Sequence, residues 1–248
     1  MVEFEHVFEN ISFDVVGLLE IRREGEHIVR RRNGNVWYYF GQSKGHRGVG
    51  FYVHKRCANR ISEFRGISER IALIKIKMAD SVTVNIIQVY APTSSAPKED
   101  TKYVYKTLEE TLEEVRGQYT FIVGDFNAKV GSEPEVGPCV GPYVGGVTNS
   151  NGHKLTKFCM RHNLKIANTY FEPLVDERWT WRSPDGVTRN EIDHLLTEPI
   201  RLVSDSSVIP NLVFSSDHRP VKNIISIPIA ISPPPSIDPK EDLRLDNL

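Results

Sequence analysis

The sequence predicts an α/β fold in which two packed β-sheets are covered by helices. Many short β-branched and apolar runs are spread along the 248 residues, only a few well-separated segments have helical spacing, and the two kinds do not alternate regularly. Regular alternation would instead predict a doubly wound parallel sheet. We expect one domain over 1–231, because single domains of this type commonly reach about 250 residues.

The first half of the chain is predicted to be mostly β-structure. A short helix over 2–9 precedes a buried strand. Two alternating β-branched runs separated by Ala79, Asp80 and Ser81 indicate a hairpin with one buried face. The strands predicted in this half are 13–18, 36–41, 49–54, 71–78 and 82–90.

The second half adds two longer helices. Asp100 is a candidate cap for a helix to about residue 116, because Val104, Leu108 and Val115 fall on one face at helical spacing. A Gly- and Pro-rich loop precedes a second helix over 152–161. The further strands predicted are 119–123, 164–169, 179–182, 191–196 and 221–229. The Pro-rich, acidic segment over 232–248 is expected to be disordered.

Composition is typical of a soluble globular protein, with 40% hydrophobic residues, 25% charged residues and a net charge of −1. No apolar run approaches the roughly 18 residues that a membrane span requires. The N-terminus has no basic segment of a signal or transit peptide. The three widely spaced cysteines form neither a disulfide framework nor a zinc motif. We therefore expect an intracellular protein with reduced cysteines, which would be nuclear if its substrate is.

Positive charge is concentrated near the N-terminus. Residues 21–60 contain ten Lys and Arg residues against two acids, with aromatic residues interleaved. Such a surface is typical of a protein that binds a polyanion. An equally good interpretation is a solvated, turn-rich stretch whose aromatic residues are half-buried strand positions.

The GDFN segment at 124–127 follows the apolar run at 119–123, so a buried strand delivers Asp125 and Asn127 to its carboxyl end. If extended geometry continues, these side chains point to the same face. They would supply one metal-binding or base-like oxygen and one amide that orients a phosphate. A phosphoryl-transfer site is the first hypothesis.

Three further polar clusters also lie at the ends of predicted strands. Phosphodiester cleavage needs a divalent cation, an oriented attacking water and protection of the leaving oxygen. Glu20 offers a hard carboxylate for Mg²⁺, which usually takes only one or two protein carboxylates. An aspartate would orient the His218 imidazole. Asp193 is a better candidate for this than Asp217, because it would come from a neighbouring strand, and Asp217 is then free for the metal. The plainer interpretations are a surface turn for His218 and a core aromatic for Tyr90.

Five of these segments occur in one order along 10–221. They are VGLLE at 16–20, QVYAPT at 88–93, GDFN at 124–127, EID at 191–193 and SDHR at 216–219. The ordered set resembles the endonuclease/exonuclease/phosphatase superfamily. Longer strings, including GDFNAKVG at 124–131 and WTWRSPDG at 179–186, are most similar to the endonuclease domains of RTE-type non-LTR retrotransposons and to craniofacial development protein 2-like proteins.

The resemblance implies a four-layer, deoxyribonuclease-like α/β sandwich that nicks DNA with Mg²⁺, Mn²⁺ being an alternative. The first strand usual in the family has no counterpart before the helix at 2–9, so we expect a sandwich that lacks it. Leu19 stands where relatives often have a small polar residue, and His194 where they often have tyrosine. No reverse transcriptase segment is present, so the chain is not expected to be a complete retrotransposon protein.

The resemblance also implies roles at the metal and the attacking water. Glu20 would be the metal ligand, with help from Asp217. Asp125 would activate the attacking water, and Asn127 would position the phosphate.

Four more residues receive implied roles around the scissile phosphate. His218, with Asp193 behind it, would contact that phosphate or act as acid or base, which leaves the choice of base between Asp125 and His218 open. Tyr90 would lie against the phosphate or the leaving group, and Trp181 would help to shape the DNA-facing pocket.

Two alternatives to a DNA-nicking endonuclease stay open. A phosphatase of the same superfamily would act on a phosphoinositide or a small phosphate ester with the same catalytic residues. A catalytically inactive, nucleic-acid-binding remnant would fit the missing first strand. The GDFNAKVG and WTWRSPDG strings favour the nuclease, with DNA as partner, no membrane association and a monomeric state.

Overall fold

The computed structural model describes residues 2–9, 11–115, 119–173, 178–210, 212 and 215–228. Its α-helices are α1 (Val2–Phe8), α2 (Lys55–Ala58), α3 (Lys98–Glu114) and α4 (Ser150–Arg161). Its strands are β1 (Val15–Leu19), β2 (Gly25–Arg30), β3 (Val36–Gly41), β4 (Val49–Val53), β5 (Ile61–Ser68), β6 (Ile71–Ala79), β7 (Val82–Tyr90), β8 (Tyr119–Asp125), β9 (Lys165–Ile166), β10 (Trp181–Arg182), β11 (Arg189–Asn190), β12 (Asp193–Thr197), β13 (Val203–Val208) and β14 (Val221–Ile225). Among the helices in these ranges, none is long and apolar enough to cross a membrane.

The first sheet is antiparallel, with the spatial order β1-β4-β3-β2. All five residues of β4 are buried, because this strand is covered on both of its faces. Phe51 points towards the second sheet, whereas Tyr52 points the other way, towards α1. The close approach of β3 to β4 requires glycine at position 50, where a Cβ atom would lie 2.1 Å from the Tyr38 carbonyl oxygen.

The second sheet has six strands in the order β5-β6-β7-β8-β12-β9. It is mixed because β7 and β8 run parallel, while every other neighbouring pair is antiparallel. A parallel pair needs a crossover connection, and α3 supplies it between β7 and β8. The carboxyl ends of β7 and β8 therefore meet at one edge of the sheet, beside the start of β12.

Apolar packing divides the molecule into four layers. Between the sheets, Phe51 and its neighbours in β3 and β4 pack against Ala72 and Ile74 of β6. The other face of the six-stranded sheet packs against Leu108 of α3 and Leu155 of α4. On the outer face of the first sheet, Phe4 of α1 lies against Trp37 and Tyr52. The order of layers is thus helix, sheet, sheet, helices, which confirms the predicted four-layer α/β sandwich.

Several predicted elements need correction. The predicted strand over 164–169 is only the two residues of β9, followed by a 3-10 turn at Ala167–Tyr170. The pattern analysis missed β2, β5 and β13, because these strands carry polar residues on their exposed positions and do not read as apolar runs. The helix predicted at the N-terminus is α1, the first element described, and the tail over 232–248 lies outside the described residues.

The contact between the sheets should dominate stability. Phe51 is 0% exposed, and its ring meets the Phe64 ring edge-on. Replacing Phe51 with alanine should lower the free energy of unfolding by about 3–5 kcal/mol, because the apolar ring is lost and a cavity is left. Urea denaturation measures this loss. Tyr103→Ala on the exposed face of α3, where Tyr103 is 60% exposed, should change stability by no more than about 0.5 kcal/mol. Equal losses would contradict the assignment of the core.

Candidate active site

Three polar residues lie side by side at the ends of three neighbouring strands of the six-stranded sheet. In the parallel pairing of β7 with β8, Tyr90 is the partner of Asp125. In the antiparallel pairing of β12 with β8, Asp193 is also the partner of Asp125. Residues that are direct partners on neighbouring strands lie about 5 Å apart. Strand register alone therefore brings together Tyr90, Asp125 and Asp193, which are far apart in the sequence.

The chain turns sharply around Asp125. Gly124 has φ 145° and a Cβ atom there would lie 1.9 Å from the Val89 carbonyl oxygen, so only glycine fits before the carboxylate. Asn127 has φ 49°, so the extended geometry predicted for 125–127 does not continue. The two side chains meet nevertheless. Asp125 accepts hydrogen bonds from the Asn127 backbone N–H (2.7 Å) and side-chain Nδ2 (3.2 Å), and that Nδ2 also donates to the Ala91 carbonyl oxygen (2.9 Å).

His218 and Asp193 form a hydrogen-bonded pair. The imidazole Nδ1 lies 2.9 Å from Asp193 Oδ2. The loop before β14 is held in place by an isolated bridge between Trp181 and His218. The structure thus brings together the two residues that the sequence analysis paired, with Asp193 one strand away from Asp125.

The electrostatic environment raises the pKa of both Asp125 and His218. Burial, together with the charge of Asp193, raises the pKa of Asp125 to about 8, against the opposing effects of His218 and the Asn127 backbone N–H. Burial alone would lower the pKa of His218, but the hydrogen bond and charge of Asp193, with further help from Asp125 and Asp217, raise it to about 9. The cluster therefore favours an imidazolium ion at neutral pH.

Glu20 belongs to the same site although it comes from the first sheet. It follows β1 and has a left-handed backbone, with φ 52°. Its carboxylate accepts a hydrogen bond from the Tyr90 hydroxyl (2.6 Å) and one from the Arg22 guanidinium (2.5 Å). The Tyr90 hydrogen bond, with help from Arg22, lowers the pKa of Glu20 despite partial burial. A charged carboxylate is thereby fixed at the junction of the two sheets.

Asp217 is held by Trp181 at the rim of the site. The Trp181 Nε1–H donates to Asp217 Oδ2 over 2.9 Å. A shallow groove next to this contact is lined by Arg182, Ser183, Pro184, Ser215, Ser216 and Asp217. Of the residues expected to bind metal, Asp217 therefore has one carboxylate oxygen already engaged by an indole.

Sequence and fold comparisons now identify the family. The endonuclease-reverse transcriptase family model matches residues 84–222, more than half of the chain. The chain belongs to the endonuclease-reverse transcriptase family. Craniofacial development protein 2 of Bos taurus is 31% identical over 214 residues, which are 85% of this chain and 36% of that protein. The same protein of Tragulus javanicus is 30% identical over 85% of this chain and 37% of its own length. This chain thus spans well under half the length of these curated relatives.

Solved structures show the same fold. The endonuclease domain of TRAS1, a telomere-specific non-LTR retrotransposon, superposes with a TM-score of 0.63 at 14% identity, covering 91% of this chain and 92% of that domain. A 3'-5' exonuclease from Neisseria meningitidis superposes with a TM-score of 0.65 at 18% identity, covering 91% and 94% of the two chains. These matches confirm that the family resemblance extends to the deoxyribonuclease-like architecture.

Metal dependence is typical of this endonuclease-reverse transcriptase family, so the side chains of the site should include suitable metal ligands. No group of three or more His, Cys, Asp or Glu side chains within the described ranges is arranged to hold a metal ion. Mg²⁺ does not need such a cage, because it usually keeps several waters and takes one or two carboxylates. Glu20 already binds one cation, the Arg22 guanidinium, and its side chain is 44% exposed. A water-rich Mg²⁺ site that uses Glu20 therefore fits this donor set.

Sequence reasoning missed two arginines that contact the candidate residues. Arg22 reaches Glu20, as described above. Arg70 donates from Nη1 to the Tyr90 carbonyl oxygen (3.0 Å), and its guanidinium lies 5.1 Å from the centre of the Tyr90 ring. Arg70 lies in the segment SERIA at 68–72, a further string that resembles the family, and this was the available signal. Arg22 gave none beyond its place in the basic stretch.

The basic, aromatic stretch over 21–60 is not the aromatic surface that one interpretation predicted. Its aromatic residues belong mainly to the core. Five of them have side chains that are at most 6% exposed: Trp37, Tyr38, Tyr39, Phe51 and Tyr52. Some of its arginines pair with acids, as Arg56 does with Asp14 at 2.7 Å. The plainer interpretation, strand residues with solvated turns, is correct for the aromatic positions.

A different cationic surface lies beside the candidate active site. Three guanidinium groups surround the Trp179 ring, with that of Arg219 at 3.3 Å from its centre, Arg189 at 5.0 Å and Arg182 at 5.9 Å. These four residues, the Trp179 cluster, flank the β10–β11 hairpin and the groove next to Asp217. Guanidinium groups gathered on one ring are suited to contact phosphate groups.

Proposed function

We propose that the protein is a Mg²⁺-dependent phosphodiesterase that nicks DNA. The observation that carries this proposal is the Asp193–His218 hydrogen bond of 2.9 Å, one strand away from Asp125. A buried carboxylate next to a paired imidazole supplies a base and an acid within one site. Burying a carboxylate beside a second one is costly, and a strand end with only a structural role would not require it. Asp125 is nevertheless only 3% exposed.

Each residue then has one task. In its ionised form, Asp125 takes a proton from the attacking water, and burial makes this carboxylate more basic than that of an ordinary aspartate. His218 keeps its proton through Asp193 and donates a hydrogen bond to the phosphate or the leaving oxygen. Asn127 holds Asp125 in position through its backbone N–H and its Nδ2, and it would also position the phosphate.

Glu20 and Asp217 would hold the metal ion. When bound, Mg²⁺ would neutralise the developing charge of the phosphate oxygens. Glu20 is oriented by the Tyr90 hydroxyl, which lies in the same row as Asp125. Tyr90 is in turn fixed by Arg70, which contacts both its ring and its backbone carbonyl.

DNA is the proposed substrate for two reasons. The Trp179 cluster places three arginines beside the site, where they can contact a phosphodiester backbone. A 3' phosphatase from Neisseria, whose solved structure has the same fold, binds a product DNA hairpin. Plasmid nicking in Mg²⁺ and its loss in EDTA test the proposal directly. Turnover of a soluble phosphate ester without nicking would instead favour a phosphatase.

Removing the Tyr90 hydroxyl should weaken metal binding. Tyr90→Phe keeps the ring contact with Arg70 but removes the 2.6 Å hydrogen bond to Glu20. Loss of a group that orients a metal ligand typically costs about 10-fold or more in affinity, so titration calorimetry with Mn²⁺ should show a decrease of about that size. Tyr105→Phe is the matched control, because the buried Tyr105 hydroxyl has no hydrogen-bond partner within the described part of the chain. Equal metal affinity in Tyr90→Phe and wild type would refute this role.

A further inference from the structure

The Glu20–Arg22 contact is built by the backbone. Both residues have left-handed backbones, with φ 52° at Glu20 and φ 56° at Arg22. Residues other than glycine adopt this conformation rarely, and it persists only where surrounding contacts hold it. The resulting turn aims two side chains of opposite charge, only two positions apart, at each other with an N–O distance of 2.5 Å.

The surrounding contacts come from the loop between β3 and β4. The Ile21 N–H donates to the Gly48 carbonyl oxygen (3.2 Å), and the Arg22 N–H donates to the Arg47 carbonyl oxygen (2.7 Å). The Arg22 carbonyl oxygen accepts from the Gly45 N–H (3.0 Å). Both backbone polar groups of Arg22 are therefore used. Its side chain is 61% exposed, so the guanidinium can move without any change in the turn.

Arg22 faces the carboxylates that would bind the metal. It hydrogen-bonds Glu20, and the charges of Glu20 and Asp217 both raise its pKa. The carboxylate that it contacts also accepts the hydrogen bond of the Tyr90 hydroxyl. A permanent cation thus already contacts Glu20, one of the two carboxylates that would bind a divalent cation.

We propose that Arg22 is an internal cation that competes with the metal ion for Glu20 and, once displaced, binds the phosphodiester backbone of the substrate. The inference rests on the proposed function. A metal ion on Glu20 removes the counter-ion of Arg22, and a guanidinium that has lost its carboxylate pairs equally well with a phosphate, whose oxygens match its planar fork. Metal and DNA would then bind cooperatively, because each favours the displaced position of Arg22.

Metal binding without DNA tests the competition. In titration calorimetry with Mn²⁺, Arg22→Ala should bind the metal about two- to fivefold more tightly than wild type, the size expected for an exposed ion pair. Arg22→Lys should stay near wild type, because it keeps the charge. Arg23→Ala, the neighbouring exposed arginine, is the matched control and should bind like wild type. Since Arg22 has a left-handed backbone, Arg22→Gly is a second neutral variant that removes any strain and should also bind more tightly.

DNA binding tests the second half of the proposal. With Ca²⁺ as the probe metal, Arg22→Ala should bind a short DNA duplex several-fold more weakly than wild type, with a shallower dependence on salt. In EDTA, where Glu20 still holds Arg22, the same substitution should change DNA affinity less. An equal change in both conditions would contradict the displacement.

Glu20→Gln separates this inference from the proposed function. If it leaves Mn²⁺ affinity unchanged, Glu20 is not a metal ligand and the proposed function fails at that residue. If it weakens Mn²⁺ binding while neither Arg22→Ala nor Arg22→Gly strengthens it, the proposed metal site stands and the competition by Arg22 is refuted.

Discussion

Replacing His218 with alanine is expected to slow metal-dependent nicking by about 10³-fold, because positioned proton donors and acceptors contribute about 10²–10⁴-fold to such reactions. The substitution leaves Asp193 and Asp125 as neighbouring carboxyl groups without the imidazolium ion that now pairs with Asp193. Initial rates on supercoiled plasmid in Mg²⁺ measure the loss. His153→Ala on the exposed face of α4 is the matched control and should nick at the wild-type rate.

Asp193 should contribute to nicking by orienting His218 and not through a separate role. Asp193→Asn is expected to reduce the nicking rate by about 10²-fold or more, because a neutral amide no longer stabilises the imidazolium ion by its charge or fixes the imidazole tautomer. Residues that act as one unit have non-additive effects. The double variant Asp193→Asn/His218→Ala should therefore be no slower than His218→Ala alone. A multiplicative loss would show that Asp193 has a separate task.

Asp125→Asn is expected to have opposite effects on activity and stability. Nicking should fall by about 10³-fold or more, because an amide cannot take a proton from the attacking water. The metal-free protein should become more stable, since a carboxylate buried beside Asp193 no longer needs to be accommodated. One weak hydrogen bond from Asn127 is lost, and that cost is smaller than the cost of burying the charge.

The pH dependence of this stability difference follows from the pKa of Asp125. Folding raises that pKa from an ordinary 3.8 to about 8, so the wild type loses stability as the pH rises through this range. The advantage of Asp125→Asn should be small near pH 4 and largest above pH 8. Thermal denaturation in chelator measures it. Asp80→Asn, the same substitution at a fully exposed turn, should show no such trend, and a trend shared by both variants would contradict the burial of charge at Asp125.

Most residues of the candidate site could be predicted from the sequence, because the order of the strands brings their side chains together. Tyr90 and Asp125 each stand at the end of an apolar or β-branched run that could be recognised, and Asp193 stands at the start of one. The parallel pairing of β7 with β8, and the pairing of β12 with β8, then place these ends in one row. The two-sheet sandwich was predictable for the same reason, since strands outnumber helices and do not alternate with them.

What sequence could not supply depends on backbone conformation and on strand edges. The left-handed conformations of Glu20, Arg22 and Asn127 leave no pattern in residue type, so neither the Glu20–Arg22 contact nor the turn after Asp125 could be read. The edge strands β2 and β5 contain polar residues between their apolar ones, so they were not predicted. Burial of Trp37 and Tyr52 required knowing that α1 covers the outer face of the first sheet.

Nicking of supercoiled plasmid by the purified chain is the most direct test of the proposed phosphodiesterase. The assay compares wild type in Mg²⁺, wild type in EDTA and the Asp125→Ala/His218→Ala variant in Mg²⁺, after circular dichroism has shown that both proteins are folded. We expect conversion to open circles only by wild type in Mg²⁺. Nicking that persists in the double variant, or a folded wild type that binds DNA in a salt-sensitive way without cutting it, would contradict the proposed function.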